Sequence, residues 1–211
     1  MTRHEPAVAA LLAGAAEWRL LSLLLSRPRQ GWHEEVRAVA GEVGDPLLRE
    51  AATRAEGASE GPYHALLGAG AAASPREAAR LGFGDPGRAL ADLAAQYAAF
   101  GFAPRQEEPD DHLAVECDFA SYLFLKEAYA VCAGSAADAA VARDARARFL
   151  REHAALAGTG FASALPDGAP PYLRCVGDAI AGRLPAVAMP HDVPSSEDPL
   201  GDGCALTQLQ P

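Results

Sequence analysis

The 211-residue chain carries 28 acidic residues against 18 lysines and arginines, giving a formal net charge of −10. A chain of this length can bury one well-covered core, so we expect a single domain. The acidic balance disfavours nucleic acid and anionic membranes as partners, because either would need a basic face. The single lysine, Lys126, lies outside any glycine-rich loop, which disfavours a Walker-type phosphate loop and a Schiff-base enzyme.

Helical periodicity dominates the chain from its beginning. Alanine and leucine are abundant and no segment alternates apolar and polar residues, so the sequence predicts an all-α, single-domain helical bundle. The first helix is expected at residues 5–25, and its most apolar run, residues 20–25, is too short for a membrane span, which needs roughly 20 apolar residues. Short helices are predicted at residues 32–39, 46–56 and 61–67.

Two proline-containing signals mark the next helix starts. Ser74-Pro75-Arg76-Glu77 has the pattern of an N-cap, a proline at the first helical position and a capping-box glutamate. Asp85-Pro86 repeats the signal before a helix that is expected to end at Gly101. Further helices are predicted at residues 109–132, 136–156 and 171–186.

The end of the chain differs in composition from the rest. Pro, Ser, Asp and Gly dominate after residue 190, so we expect residues 1–186 to form the helical domain and residues 187–211 to form a mobile tail. The four cysteines have no regular spacing, which predicts reduced thiols rather than a disulfide framework or metal site. Reduced thiols and the lack of a signal-peptide pattern indicate a cytoplasmic protein.

The segment 107–118 contains six acids in twelve residues, without a lysine or arginine. Carboxylates this close raise one another's proton affinity, so solvent, a cation or a cationic partner is expected to compensate them. Pro109 is predicted to open a helix whose first turn holds the following aspartates. His112 and Glu116, four residues apart, would then share a stripe with Phe119 and face a partly apolar cleft.

Several interpretations of this segment remain open at the level of the residues alone. It could be an acidic helix start with His112 paired to Glu116 in the core, or the acidic surface of a structural adaptor. It could also belong to a small-molecule or nucleotide-binding protein that uses His112 and the carboxylates, although no phosphate cradle accompanies it. A di-iron site would need Glu-x-x-His pairs, which the chain lacks, so we expect no metal and no cofactor.

One motif in this segment carries a family resemblance. Glu108-Pro109-x-Asp111-His112, followed by Leu-Ala-Val-Glu-x-x-Phe-x-x-Tyr-Leu, resembles the signature of the TorD/DmsD/NarJ family. These are cytoplasmic chaperones that mature molybdenum-containing oxidoreductases. Two other places are similar to that family: residues 19–28, which include the end of the first helix and Arg27-Pro28, and Phe149 with His153.

The resemblance implies an all-helical chaperone and not an enzyme. Its partner would be the catalytic subunit of a molybdopterin oxidoreductase, bound through its N-terminal, twin-arginine signal region. The chaperone would assist cofactor insertion and delay export until the subunit has folded. It would be a monomer or a helix-swapped homodimer, with hinges at residues 68–73 and 101–106. The implied client-binding residues are Glu108, Pro109, Asp111, His112, Glu116 and Phe119.

Overall fold

The computed structural model describes residues 5–81, 84–104 and 107–185. These residues form a helical bundle without a β-strand, which confirms the all-α prediction. In chain order the α-helices are α1 (Glu5–Leu25), α2 (Trp32–Ala40), α3 (Pro46–Arg54), α4 (Glu60–Leu67), α5 (Pro86–Phe100), α6 (Leu113–Cys132), α7 (Ala136–Phe149), α8 (Ala155–Ala164) and α9 (Pro171–Ala181).

Helices α1 and α6 form the centre of the bundle. They run antiparallel, because the Ser121 hydroxyl donates to the carbonyl of Ala15 over 2.8 Å while Arg19 pairs with Asp118 at 2.7 Å. Helix α7 packs on α6, and α9 packs between α3 and α8. The prediction that α6 is a central helix is confirmed, since it is buried on more than one side.

Helix α1 is long and apolar enough to cross a membrane by length and composition alone. Its final six residues, 20–25, are all buried in the protein, as predicted for a core segment. Gly14 permits the close approach of α6, because a Cβ there would lie 2.6 Å from the ring of Phe124.

The prediction that a helix starts at Ser74-Pro75 is wrong. Only a short 3₁₀ helix, Glu77–Arg80, follows this signal. The backbone of the segment pairs instead with the residues around the start of α6: Leu113 N–H donates to the Pro75 carbonyl over 2.8 Å. By contrast, Asp85 caps α5 by accepting from two backbone N–H groups, and Gly101 ends α5 with a φ of 68°, both as predicted.

The predicted helix at residues 136–156 contains an irregularity. Helix α7 ends at Phe149, a π-helical turn covers Leu150–Ala154, and α8 continues to Ala164. Helix α9 ends at Ala181, five residues earlier than predicted. The predicted tail, residues 187–211, lies outside the described residues.

Candidate functional site

The acidic segment leads into α6 as a loop rather than as its first turn. His112 N–H donates to the Pro109 carbonyl over 2.9 Å, and α6 begins only at Leu113. The prediction that the helix starts at Pro109 is therefore wrong. The cause is tertiary, because Arg76 and His112 form an isolated antiparallel bridge and Glu77 N–H donates to the Asp111 carbonyl over 2.9 Å.

Asp111 holds this bridge in place. Its side chain is 1% exposed. One carboxylate oxygen accepts from Arg76 Nε over 2.9 Å and from Nη2 over 2.6 Å, and the other accepts from Ala78 N–H over 3.1 Å. A carboxylate with these partners replaces its lost hydration by charge-assisted hydrogen bonds within the chain. In this conformation the Asp111 carboxylate therefore stabilises the loop and is not available to solvent.

His112 is the N-cap of α6 and is buried. Its Nδ1 accepts from Ala114 N–H over 3.2 Å, so the other nitrogen carries the proton of the neutral ring. That Nε2 lies 3.3 Å from the Tyr63 hydroxyl and 3.8 Å from a carboxylate oxygen of Glu108. Burial lowers the pKa of His112 to about 4, although the carboxylates of Glu108 and Asp111 oppose the shift. His112 is therefore neutral at neutral pH.

Glu108 and Pro109 form the accessible part of the predicted site. The Glu108 side chain is 17% exposed and accepts from Arg27 N–H over 3.2 Å and from the Tyr63 hydroxyl over 3.1 Å. Pro109 is exposed. The neighbouring Glu107, 76% exposed, forms an ion pair with the Arg27 guanidinium. This end of the loop is therefore accessible from solvent.

Glu116 lies in the core and does not pair with His112. Neither of its carboxylate oxygens has a hydrogen-bond partner among the described residues. Burial, together with the carboxylates of Glu77 and Asp111, raises the pKa of Glu116 well above its usual value. A raised pKa keeps the side chain as an uncharged carboxylic acid where an exposed glutamate would be ionised.

We expect the free energy of unfolding of the Glu116→Gln variant to increase relative to that of the wild type as pH rises. Above about pH 4.5 the unfolded chain releases the Glu116 proton but the folded chain keeps it, so wild-type stability falls with pH until the raised pKa is reached. The difference between the variant and wild type should grow by up to about 1.4 kcal/mol per pH unit. Urea unfolding from pH 5 to pH 8 measures it, and a constant difference would contradict an uncharged Glu116.

Phe119 is the centre of an aromatic cluster in the core. Its ring centroid lies 4.7 Å from that of Phe149, 4.8 Å from that of Tyr97 and 5.2 Å from that of Phe102. Phe119 is 1% exposed. The expectation of a partly open cleft lined by His112, Glu116 and Phe119 is therefore wrong, because helix α6 turns these side chains into the protein.

Sequence reasoning missed several partners that complete this region. Tyr63, from α4, contacts both Glu108 and His112, and no periodic pattern pointed to it. Glu77 is buried beside His153, with 3.0 Å between Oε2 and Nδ1, and Gln96 lies 2.8 Å from the other ring nitrogen. The π-helical turn after α7 carries His153 at this position. Glu77, from the predicted helix-start signal, and His153, from a segment with the family resemblance, thus form one buried pair.

An open groove lies beside the loop, between α1, α2 and α6. We call it the apolar groove; its volume is about 780 Å³. Two of the four exposed large hydrophobic residues among the described part of the chain, Leu12 and Leu125, line it. Its other apolar lining residues include Ala15, Ala16, Val39, Phe102 and Tyr122.

A smaller cavity adjoins this groove. We call it the loop cavity; its volume is about 300 Å³. Its charged lining residues are Arg19, Arg27, Arg29, Glu107 and Glu108. Arg19 also lines the apolar groove, so the two depressions are neighbours along α1.

Among the described residues, no cluster of three or more histidine, cysteine or acidic side chains could hold a metal ion. The cysteines in this part are free: Cys117 and Cys175 are buried and Cys132 is exposed.

Comparison with known proteins identifies the family. The model of the nitrate reductase delta subunit family matches residues 30–156, more than half of the chain, from just before α2 to the start of α8. No curated protein matches the chain. The matched family consists of maturation chaperones, and its members act with the catalytic subunit of a molybdenum enzyme. This chain, with its helical bundle and the loop before α6 inside the matched region, belongs to the nitrate reductase delta subunit family of molybdoenzyme maturation chaperones.

Proposed function

We propose that this chain is a cytoplasmic chaperone that binds the N-terminal region, including a twin-arginine signal, of a molybdopterin oxidoreductase's catalytic subunit. By holding that region it assists cofactor insertion and delays export until the subunit has folded. Binding and release suffice for this function, so no catalytic residue is assigned.

The observation that carries the proposal is the apolar groove beside the loop before α6. Leu12 is 48% exposed and Leu125 is 46% exposed, so both offer apolar surface that a partner can bury. A groove of this kind suits an apolar segment, because the burial of apolar surface contributes roughly 25 cal/mol per Å². The signal region of the proposed client has an apolar part of this kind.

The loop cavity suits the basic part of the same client region. Glu107 is largely exposed and Glu108 is partly exposed, so both carboxylates can meet an arginine. The α1 positions that line the two depressions run from Leu12 to Leu23. At about 1.5 Å per helical residue this strip is about 16 Å long, enough for about five extended residues. One client segment can therefore occupy both depressions.

The buried residues of the predicted site stabilise the surface that would contact the client. Asp111 fixes the loop through Arg76, and His112 caps α6 and contacts Glu108 through Tyr63. Glu116 and Phe119 pack the inner face of α6, whose outer face carries Leu125. We propose that Glu108 and Pro109 contact the client, while the other four residues keep the contacting surface in shape.

We expect Leu125→Glu to weaken binding of a client-like peptide by about tenfold or more. A carboxylate in the groove would have to be desolvated beside an apolar segment, which costs at least 1–2 kcal/mol. The probe is a synthetic 20-residue peptide with two adjacent arginines followed by an apolar stretch. Calorimetric titration measures its affinity for the wild type and for the variant.

Val141→Glu is the matched control for this experiment. Val141 is 58% exposed on α7 and does not line the groove, so the same added charge should leave affinity nearly unchanged. Binding to the wild type should also persist as salt is added, because apolar burial is not screened. Equal affinities of the Leu125 and Val141 variants for the peptide would contradict binding in the groove.

The alternative of a small-molecule site at His112 is less well supported. His112 is 3% exposed, and both of its ring nitrogens already lie near protein partners. A ligand would have to displace the cap of α6 to reach it.

A further inference from the structure

The loop cavity already contains an arginine from the chain itself. Arg27 follows the end of α1, and its guanidinium pairs with Glu107 and, at 2.7 Å, with Glu60. Its backbone N–H donates to Glu108 over 3.2 Å. Of the two carboxylates proposed to receive the client, Glu107 is thus engaged by an internal guanidinium, and Glu108 by the backbone N–H of the same residue.

The other two arginines of the cavity have different partners. Arg29 pairs with Glu35 at 2.8 Å, and Arg19 pairs with Asp118 at 2.7 Å. Among the arginines that line the cavity, Arg27 is the one whose guanidinium bonds to Glu107. Its side chain is 33% exposed, so it can leave the carboxylates without a rearrangement of the core.

We propose that Arg27 is a built-in competitor that an arginine of the client displaces when it binds. The inference rests on the proposed function, because it assigns the regulation of the same site. Exchange replaces one guanidinium–carboxylate pair with another, so the client arginine gains little net electrostatic energy. A basic segment alone therefore cannot displace Arg27 effectively.

This competition has a consequence for specificity. A segment can displace Arg27 only if it also gains energy elsewhere, and the neighbouring apolar groove provides that energy. Arginine-rich segments without an apolar continuation are then rejected, although the protein carries a strong negative charge. Specificity then arises from weaker binding of wrong partners as well as from favourable contacts with the right one.

The test is Arg27→Gln, titrated with the 20-residue peptide described above and with a second peptide in which both arginines are glutamine. Removal of the competitor should raise affinity for the arginine peptide by about threefold or more, because the client arginine no longer has to displace Arg27 from Glu107. Affinity for the glutamine peptide should stay the same. Circular dichroism verifies that the variant keeps its helix content.

Arg29→Gln is the matched control, because it removes the same charge from the same cavity while the pair of Arg27 with Glu107 remains. An equal gain in both variants would indicate a general charge effect and overturn the proposal. Unchanged or weaker binding by Arg27→Gln would also overturn it. If neither the wild type nor the variant binds either peptide, the proposed function itself fails.

A second measurement follows Arg27 directly in the wild-type protein. Its side-chain Nε–H resonance, identified by its loss from the Arg27→Gln spectrum, should move toward that of a solvated arginine when the arginine peptide is added. The glutamine peptide should leave it in place. A resonance that is unaffected by saturating arginine peptide would show that Arg27 remains bound and would overturn the exchange.

Discussion

Phe119→Ala is expected to lower the free energy of unfolding by about 3–5 kcal/mol, the range for removing a buried aromatic side chain. The ring contacts three other aromatic rings within about 5 Å, and the helices that carry them cannot all close around the cavity left behind. Chemical denaturation followed by circular dichroism measures the loss.

Tyr129→Ala on the same helix is the matched control. Tyr129 is 75% exposed, so its removal should change stability by no more than about 0.5 kcal/mol. If Phe119→Ala lowered the free energy of unfolding by less than about 1 kcal/mol, that result would contradict the burial of Phe119 and would indicate an accessible side chain. Because this loss of stability would itself weaken peptide binding, weaker binding by Phe119→Ala does not indicate a direct contact between Phe119 and the peptide.

Acid is expected to destabilise the protein through His112 by about 3 kcal/mol between pH 6.5 and pH 4. The unfolded chain binds a proton at His112 near pH 6.5, whereas the folded chain binds it only near pH 4, where the pKa of the buried ring lies. The unfolded state thus holds more protons across this interval, and stability falls as pH falls. The size of this loss in unfolding free energy follows from about 1.4 kcal/mol per unit of pKa shift.

The structural reason is the cap of α6. Nδ1 can accept from Ala114 N–H only while that nitrogen is unprotonated, so protonation turns the acceptor into a second donor. His112→Asn supplies an amide oxygen that can cap the helix but does not titrate. We expect this variant to lose the acid sensitivity between pH 6.5 and pH 4.

The comparison uses the free energy of unfolding of both proteins at several pH values in this interval. The difference between the two curves removes the contribution of groups other than residue 112. Parallel curves would show that His112 is not held neutral in the folded protein. A constant offset from the lost Tyr63 contact does not affect this conclusion.

Local signals in the sequence predicted most of the helices. The bounds of α1 and α5 follow from apolar spacing, the Asp85-Pro86 start and the Gly101 end, which all depend on neighbouring residues. The helix start predicted at Ser74-Pro75 does not form, because the backbone there pairs with residues around the start of α6, over 30 positions away in the chain. A capping pattern carries no information about a competing partner at that distance.

The site was predicted only in part for the same reason. His112 and Glu116 lie four apart, but the helix starts after His112, so their expected pairing does not form. The observed partners are distant in sequence: Tyr63 is 49 residues from His112, and Arg76 is 35 residues from Asp111. The sequence identified chemically unusual residues, whereas their burial depends on how the helices pack. Participation of the six predicted residues in client binding stays a prediction.

The π-helical turn at Leu150–Ala154 makes the number of residues between α7 and α8 structurally important. A π turn inserts one extra residue into an α-helix, so deletion of one residue here would restore regular α-helix. It would also rotate α8 by about 100° relative to α7. Gly158 would then leave its position against Ile180 and Leu184, where a Cβ would already clash at 2.8 Å and 2.5 Å. The exposed Arg151 and Glu152 tolerate substitution in this geometry, but the length of the segment cannot change.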